Sequence, residues 1–499
     1  MLAHLPILQV ILPLMAAPSC LLIRKANLVW LFTLSVSVAA LVVSVLLLQQ
    51  VYATGPITYE LGGWEAPWGI EYRIDLLNAW VLFIVTALSS VVLLAANTSV
   101  QRELEANRQT VFYTLYLLCF AGLLGIVATG DAFNVFVFLE ISSLSTYALI
   151  ALGKDRRALW AAFQYLIMGT IGATFILIGI GFLYMMTGTL NMADLAARIP
   201  SLAESTTVLA AFAFIFVGIC LKLALFPLHL WLPNAYSCAP SIVTAFLAAT
   251  ATKVALYLLL RFTFTVFGVD FSLSHLPLDI LLITLGLVGV FAASIVAVYQ
   301  VNIKRMFAFS SVAQIGYMVV GIGIGTATAL QATLLHLFNH ALMKGGLFLA
   351  LAGLVYQMGG CRMAHFRGLG HTMPWTMAAV VVGGISLIGM PLTVGFVSKW
   401  YLIAAAMEQQ LWWVAVLVVL GSLLAVAYIW KLVEAAYFRS PESEHGQEPD
   451  NDTRREAPLG ILLPAWLLIA ANIYFGIDTR LPVEVTAAAS QFLLGGAAQ

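Results

Sequence analysis

A chain of 499 residues that is 62% hydrophobic and only 9% charged falls far below the roughly 25% charge of a soluble domain, and reads as an integral membrane protein. Its 23 basic and 23 acidic side chains cancel, so net charge identifies no partner. No Lys/Arg-rich run and no Walker sequence occur, which argues against nucleic acid and nucleotide.

Apolar runs of about 20 residues, enough to cross a bilayer, centre near residues 14, 38, 86, 120, 142, 173, 220, 254, 288, 315, 342, 390, 425 and 467. That predicts an all-α polytopic protein of about 14 spans. The first, Leu5 to Ile23, lacks a basic flank and is expected to stay uncleaved. No gap is long enough for a second folded domain. The outer loop Tyr52 to Asp75 alternates Gly and Pro turns with Tyr59, Trp64, Trp68 and Tyr72, an interfacial aromatic belt. The longest polar stretch, Arg439 to Pro458, is a solvated loop.

The loops after spans 1, 3, 5, 9, 11 and 13 hold Arg24, Lys25, Arg102, Arg108, Lys154, Arg156, Arg157, Lys304, Arg305, Arg362, Arg367, Arg439, Arg454 and Arg455. The other side holds Arg73, Arg198, Arg480 and Arg261. The imbalance places the first set in the cytoplasm and both termini outside. The five remaining cations, Lys222, Lys253, Lys344, Lys399 and Lys431, lie inside spans. Cys20, Cys119, Cys220, Cys238 and Cys361 are scattered without CxxC spacing and read as packing residues, which argues against a chain that itself carries electrons.

Span 7 is interrupted at Pro227 and span 12 at Gly389-Met390-Pro391. Each is the fourth member of a five-span set, and five is odd, so the second set starts on the opposite side. The expected organisation is spans 1–3 with the outer loop (1–110), a first repeat of spans 4–8 (111–268), an inverted second repeat of spans 9–13 (269–438), then a cytoplasmic loop, span 14 and tail (439–499). Interrupted helices at matching places in two halves mark a transport site.

A charge at mid-bilayer costs about 2.5–3.5 kcal/mol on insertion scales, so an intramembrane lysine is a candidate functional group. Asp131 is the expected N-cap of span 5. Nine residues on, Glu140 lies about 13 Å deep, with no cation on its own helix; Lys222 is its expected partner. Lys253 is again mid-depth. On span 11, His336, His340 and Lys344 follow at i, i+4 and i+8 on one face, a pattern suited to a proton relay rather than to a metal, since no carboxylate or cysteine joins them. Lys399 follows the break in span 12. Lys431 and Glu434 are open to two readings, functional or snorkelling.

Lysine rather than arginine is the telling choice. Arginine stays charged, whereas a desolvated lysine releases its proton, and an approaching carboxylate reverses that tendency. Histidines between lysines pass protons readily. Gly321, Gly323 and Gly325 imitate a dinucleotide fingerprint but sit in an apolar helix, where close packing explains them.

The segments LKLALFPLHLWLPNAYSCAPSIVTAFLAATATKV, NIKRMFAFSSVAQIGYM, HLFNHALMKGGLFLALAG and GMPLTVGFVSK together resemble the antiporter-like subunits of complex I and their relatives, over roughly Leu61 to Tyr437. LGGWEAPWGIEYRIDLLNAW and TGDAFNVFVFLE are most similar to the D-type subunits of Mrp cation/proton antiporters. The resemblance implies fourteen core helices with two inverted five-helix repeats, and a proton pathway through Glu140, Lys222, Lys253, His336, His340, Lys344 and Lys399. It implies a Na⁺/H⁺ antiporter assembled with other large and small membrane subunits, with no cofactor, no metal and no catalytic residue of its own. The alternative is a proton-pumping subunit of complex I or of a membrane-bound hydrogenase, where the same residues would do the same work. A quinone-active enzyme would need a separate lipid-accessible polar pocket, for which no motif appears.

Overall fold

The computed structural model describes residues 2–439 and 456–495. The expected polar loop after span 13, with Arg454 and Arg455, lies largely outside the described residues. Thirteen helices among the described residues are long and apolar enough to cross a membrane, and a shorter apolar helix, Pro374–Ile388, accompanies them. Together they match all fourteen expected spans, Pro374–Ile388 being the first half of span 12.

The chain opens with α1 (Leu5–Ser19) and α2 (Ala26–Thr54). A hairpin of β1 (Ile57–Glu60) and β2 (Glu71–Ile74) follows, antiparallel with Ile57 opposite Ile74. The loop Tyr52 to Asp75, expected as turns and an aromatic belt, therefore also holds a hairpin. Its buried edge is tied down: Glu71 accepts from Gly130 N through its backbone carbonyl (2.9 Å) and from Asn191 Nδ2 through its carboxylate (2.7 Å). Next come α3 (Leu76–Glu103), α4 (Ala106–Ala128), α5 (Ala132–Ala151) and α6 (Arg157–Thr187). Asp131 caps α5 as expected, its carboxylate accepting from Asn134 N at 2.7 Å.

A short α7 (Met192–Arg198) precedes span 7, which is split into α8 (Thr206–Leu223) and α9 (Trp231–Cys238). Proline has no N–H to continue the ladder, and Ala224 turns the chain with φ +60°. Leu225 N bonds Cys220 O rather than Leu221 O, and Leu221 O accepts from Ala224 N at 3.2 Å and from Trp231 Nε1 at 2.9 Å. Span 8 is also divided, into α10 (Ser241–Ala249) and α11 (Ala251–Leu260), the latter running on as π-helix to Val266. No Pro or Gly announces that break. Thr250 marks it, at φ −124° and ψ −56°, with its hydroxyl turned back onto Phe246 O.

Helices α12 (Leu278–Val298), α13 (Ile303–Ile324) and α14 (Ala327–Met358) supply spans 9–11. Gly321 and Gly323 are packing positions, since a Cβ there would stand 2.2 Å from Thr333 Oγ1 and 2.9 Å from Asp279 O. The one-turn α15 (Leu369–Thr372) leads to span 12 as α16 (Pro374–Ile388) and α17 (Val394–Glu408). Their ends are pressed together: a Cβ on Gly395 would lie 1.8 Å from Ser386 O. Helix α18 (Trp412–Val433), α19 (Leu459–Ile477) and α20 (Arg480–Leu493), an amphipathic helix absent from the expected spans, complete the chain.

Candidate functional site: a buried lysine row

Six of the seven expected pathway residues are buried inside the bundle: Lys222, Lys253, His336, His340, Lys344 and Lys399. Glu140 is the exception. It is half-buried on α5, at the edge of a stripe with exposed Phe133, Val137 and Leu144. Its Oε1 is buried without a hydrogen-bond partner within the chain. The expected contact with Lys222 is not made, for among the described residues no ion pair joins them. Lys222 Nζ donates instead to Ser143 Oγ, 2.7 Å away and one helical turn beyond Glu140. A cavity of about 30 Å³ adjoins it, bordered by Ser142, Ser143, Thr146, Tyr165 and Ala251, with room for roughly one or two waters. Ala251 belongs to the next span, so the cavity leads from the first lysine towards the break in span 8.

At that break Lys253 reaches back across it to α10. Its Nζ donates to Ala248 O and lies 3.4 Å from Thr252 Oγ1, so the ammonium satisfies a carbonyl that the interruption set free. Ala249 packs 3.6 Å from where a Cβ on Gly345 would stand, which brings the break against the turn of α14 that carries Lys344. Lys344 Nζ donates to Phe307 O at 2.8 Å and to Ser310 Oγ. One to two turns back, the rings of His340 and His336 lie parallel, 6.1 Å apart and 11° from coplanar.

His336 is held on both sides. Its Nε2 faces Gln314 Oε1 at 2.9 Å and its Nδ1 faces Ser398 Oγ at 2.8 Å. An amide oxygen only accepts, so Nε2 carries the hydrogen and Nδ1 accepts from the serine hydroxyl. Both ring nitrogens of His340 are buried without a partner within the chain. Ser398 precedes Lys399, whose Nζ donates to Leu387 O (2.9 Å) and Ile388 O (3.0 Å), the open end of α16, and sits 4.8 Å over the Tyr317 ring. The row therefore ends on the helix break of span 12.

Sequence reasoning missed Ser143, Gln314 and Ser398, because uncharged polar residues are common in spans and carry no charge to flag them. It also placed Lys304 in a loop. Lys304 is in the first turn of α13 and 5% exposed, under the 239–241 corner, with Nζ on Ser241 Oγ (3.0 Å) and Ala239 O (3.3 Å). Arg261, expected in an outer loop, is buried in an ion pair with Asp75 at 2.7 Å. Lys431 donates to Val298 O at 2.8 Å and Glu434 pairs with Arg439 at 2.9 Å, contacts that fasten α12 and the end of span 13.

The profile of the family described as "NADH:quinone oxidoreductase/Mrp antiporter, TM" matches residues 129–425, a stretch containing every member of the row and the breaks at Pro227 and Pro391. The chain belongs to that family. The N-type subunit of the NADH-quinone oxidoreductase of Desulforudis audaxviator is 42% identical over 96% of both chains. The D-type subunit of the Na⁺/H⁺ antiporter of Alkalihalophilus pseudofirmus is 33% identical over 88% of this chain and 86% of its own. In the solved Mrp complex from a Dietzia species, one chain superposes with a TM-score of 0.89 at 25% identity, covering 99% of this chain and 97% of its own. As a member of this family the chain is a multi-pass membrane protein, and these relatives are subunits of larger assemblies.

Proposed function

We propose that this chain is the proton-translocating subunit of a multisubunit Na⁺/H⁺ antiporter in a bacterial inner membrane, with its cation-rich loops in the cytoplasm and both termini outside. Protons pass along Glu140, Lys222, Lys253, His340 and His336 with Lys344, and Lys399. Likeness to the D-type antiporter subunit and to the Mrp complex supports the assembly and the exchanged ion.

The observation that carries the reading is that Lys222, Lys253, Lys344 and Lys399 are buried yet bonded only to hydroxyls and carbonyls. A lysine placed for stability alone would be expected opposite a carboxylate. One held by neutral oxygens keeps its ability to give up and regain a proton. Glu140, with a free oxygen near the first of them, is suited to bias that equilibrium as it moves closer or further. A membrane potential supplies about 2.3 kcal/mol per charge per 100 mV, comparable with a swing of under two pH units in proton affinity.

In everted vesicles carrying the intact complex, Glu140→Ala and Lys222→Ala should each abolish Na⁺-dependent proton flux while the complex still assembles. Wild-type flux in either variant would remove the pathway. A redox-linked assembly is the second reading, favoured by the 42% identity to an N-type oxidoreductase subunit. Affinity purification separates the two: small antiporter subunits in one case, iron–sulfur proteins in the other.

A further inference from the structure

A large cavity lies at the cation-rich end of the bundle, away from the lysine row. It has a volume of about 770 Å³ and collects side chains from α3, the α5–α6 turn, the 234–240 corner, the start of α13 and the segment after α14. Six cations border it: Arg102, Lys154, Arg157, Lys304, Arg305 and Arg362. Only two carboxylates stand among them, and both are engaged. Asp155 is held by Arg157. Glu103 accepts from Ser99 Oγ at 2.8 Å and from Ser241 N at 3.0 Å.

Lys304 is the decisive residue. Its ammonium is buried at the wall of the cavity, and its hydrogen bonds go to a hydroxyl and a carbonyl. A buried charge of this kind is costly unless an opposite charge approaches it, and here the space beside it is open. The other cations add to the same field. Arg102 stacks over Tyr356 and Arg305 over Phe309, with both arginines otherwise exposed.

The cavity also has a rim facing the bilayer. Trp160, in the first turn of α6, is 60% exposed and stacks on the likewise exposed Phe163 at 5.6 Å. Exposed tryptophan at the end of a span marks the headgroup level of the membrane. Basic pockets between spans at that level are suited to phosphate-bearing lipid headgroups. A free phosphate ion would leave most of 770 Å³ unfilled and would have no use for an aromatic rim.

We propose that this cavity binds the phosphodiester headgroup of an anionic phospholipid, its phosphate against Lys304, Arg102 and Arg362 and its acyl chains descending along α6 beside Trp160 and Phe163. The test uses the intact complex in a neutral detergent, examined by native mass spectrometry and thermal unfolding with added phosphatidylglycerol, cardiolipin, phosphatidylcholine or inorganic phosphate. The expected result is a retained adduct and a raised Tm with either anionic lipid and neither effect with phosphatidylcholine. Arg102→Gln with Arg362→Gln, both exposed and outside the lysine row, should weaken the anionic adduct about ten- to thirtyfold, the effect of two cations at a charged lipid surface. Trp160→Ala should weaken lipid retention without altering any response to inorganic phosphate. Equal retention of phosphatidylcholine, or unchanged anionic adducts in the double variant, would overturn the proposal. So would protection by inorganic phosphate matching that of lipid, which would make this a free-anion site. Loss of a co-purifying protein from the double variant with its lipid intact would make it a protein contact, and would overturn it equally.

Discussion

Lys222 and Lys399, one in each of the two spans interrupted at a proline, sit in opposite kinds of cradle. Lys222 leans on a side chain, the Ser143 hydroxyl of a neighbouring helix, beside a small cavity. Lys399 leans on main chain, the last two carbonyls of α16, and seals the gap across which its own span is broken. A proton leaving Lys222 changes a contact between two helices. A proton leaving Lys399 strips the charge from the two hydrogen bonds that cap a helix terminus, leaving the weaker bonds of a neutral amine. The first half is built to tune a lysine, the second to tie a lysine to backbone geometry.

Replacing each lysine by methionine breaks the comparison most sharply. Both variants should lower cation-dependent proton flux in vesicles by about a hundredfold or more. Only Lys399→Met should also lose stability, by about 2 kcal/mol for the stranded carbonyls, seen as a lower unfolding midpoint in detergent. Lys399→Arg should recover the midpoint and not the flux, because arginine caps without releasing its proton. Equal midpoints for the two methionine variants would erase the distinction.

Gln314→Leu comes next. It strands Nε2–H of His336 and frees the ring to adopt the other tautomer, so flux should fall about tenfold with a loss of about 1–3 kcal/mol. Gln314→Glu, which still accepts, should retain most of the stability. Trp231→Phe should be milder: it keeps the ring stacked on Tyr165 and gives up the bond to Leu221 O, for about 1 kcal/mol and near-normal flux.

The smallest effect lies outside the membrane, in the α7 pair Asp194–Arg198, 2.9 Å apart at i,i+4. The hydrogen bond from Arg198 holds the Asp194 carboxyl below its usual value. The pair's contribution is thus fully present above the ordinary carboxylate range and fades as pH falls through the lowered value. Asp194→Asn should cost no more than about 0.5 kcal/mol at neutral pH, a difference from wild type that acidification abolishes.

Much of the fold was legible because membrane spans announce themselves by length, and the breaks at Pro227 and Gly389–Pro391 by residues that cannot continue a helix. The break at Thr250 was hidden because ordinary helix residues flank it, and tertiary contacts rather than local propensity open it. The row itself was visible as charge where charge is expensive. Its partners were not: Ser143, Gln314 and Ser398 become informative only when folding sets them opposite a lysine or an imidazole. Lys304 misled because a cation beside Asn302 looks like loop, and only the corner at 239–241 covers it.

Span 8 carries one more consequence. Its C-terminal end is riveted by Asp75 to Arg261 and its other end by Ser241 N to Glu103. A rod fastened at both tips and jointed at its centre cannot slide; the compliant point left to it is the joint. That joint is Thr250, and the side chain bridging it is Lys253, so an ammonium gained or lost there acts on the hinge of a strut whose two ends stay put.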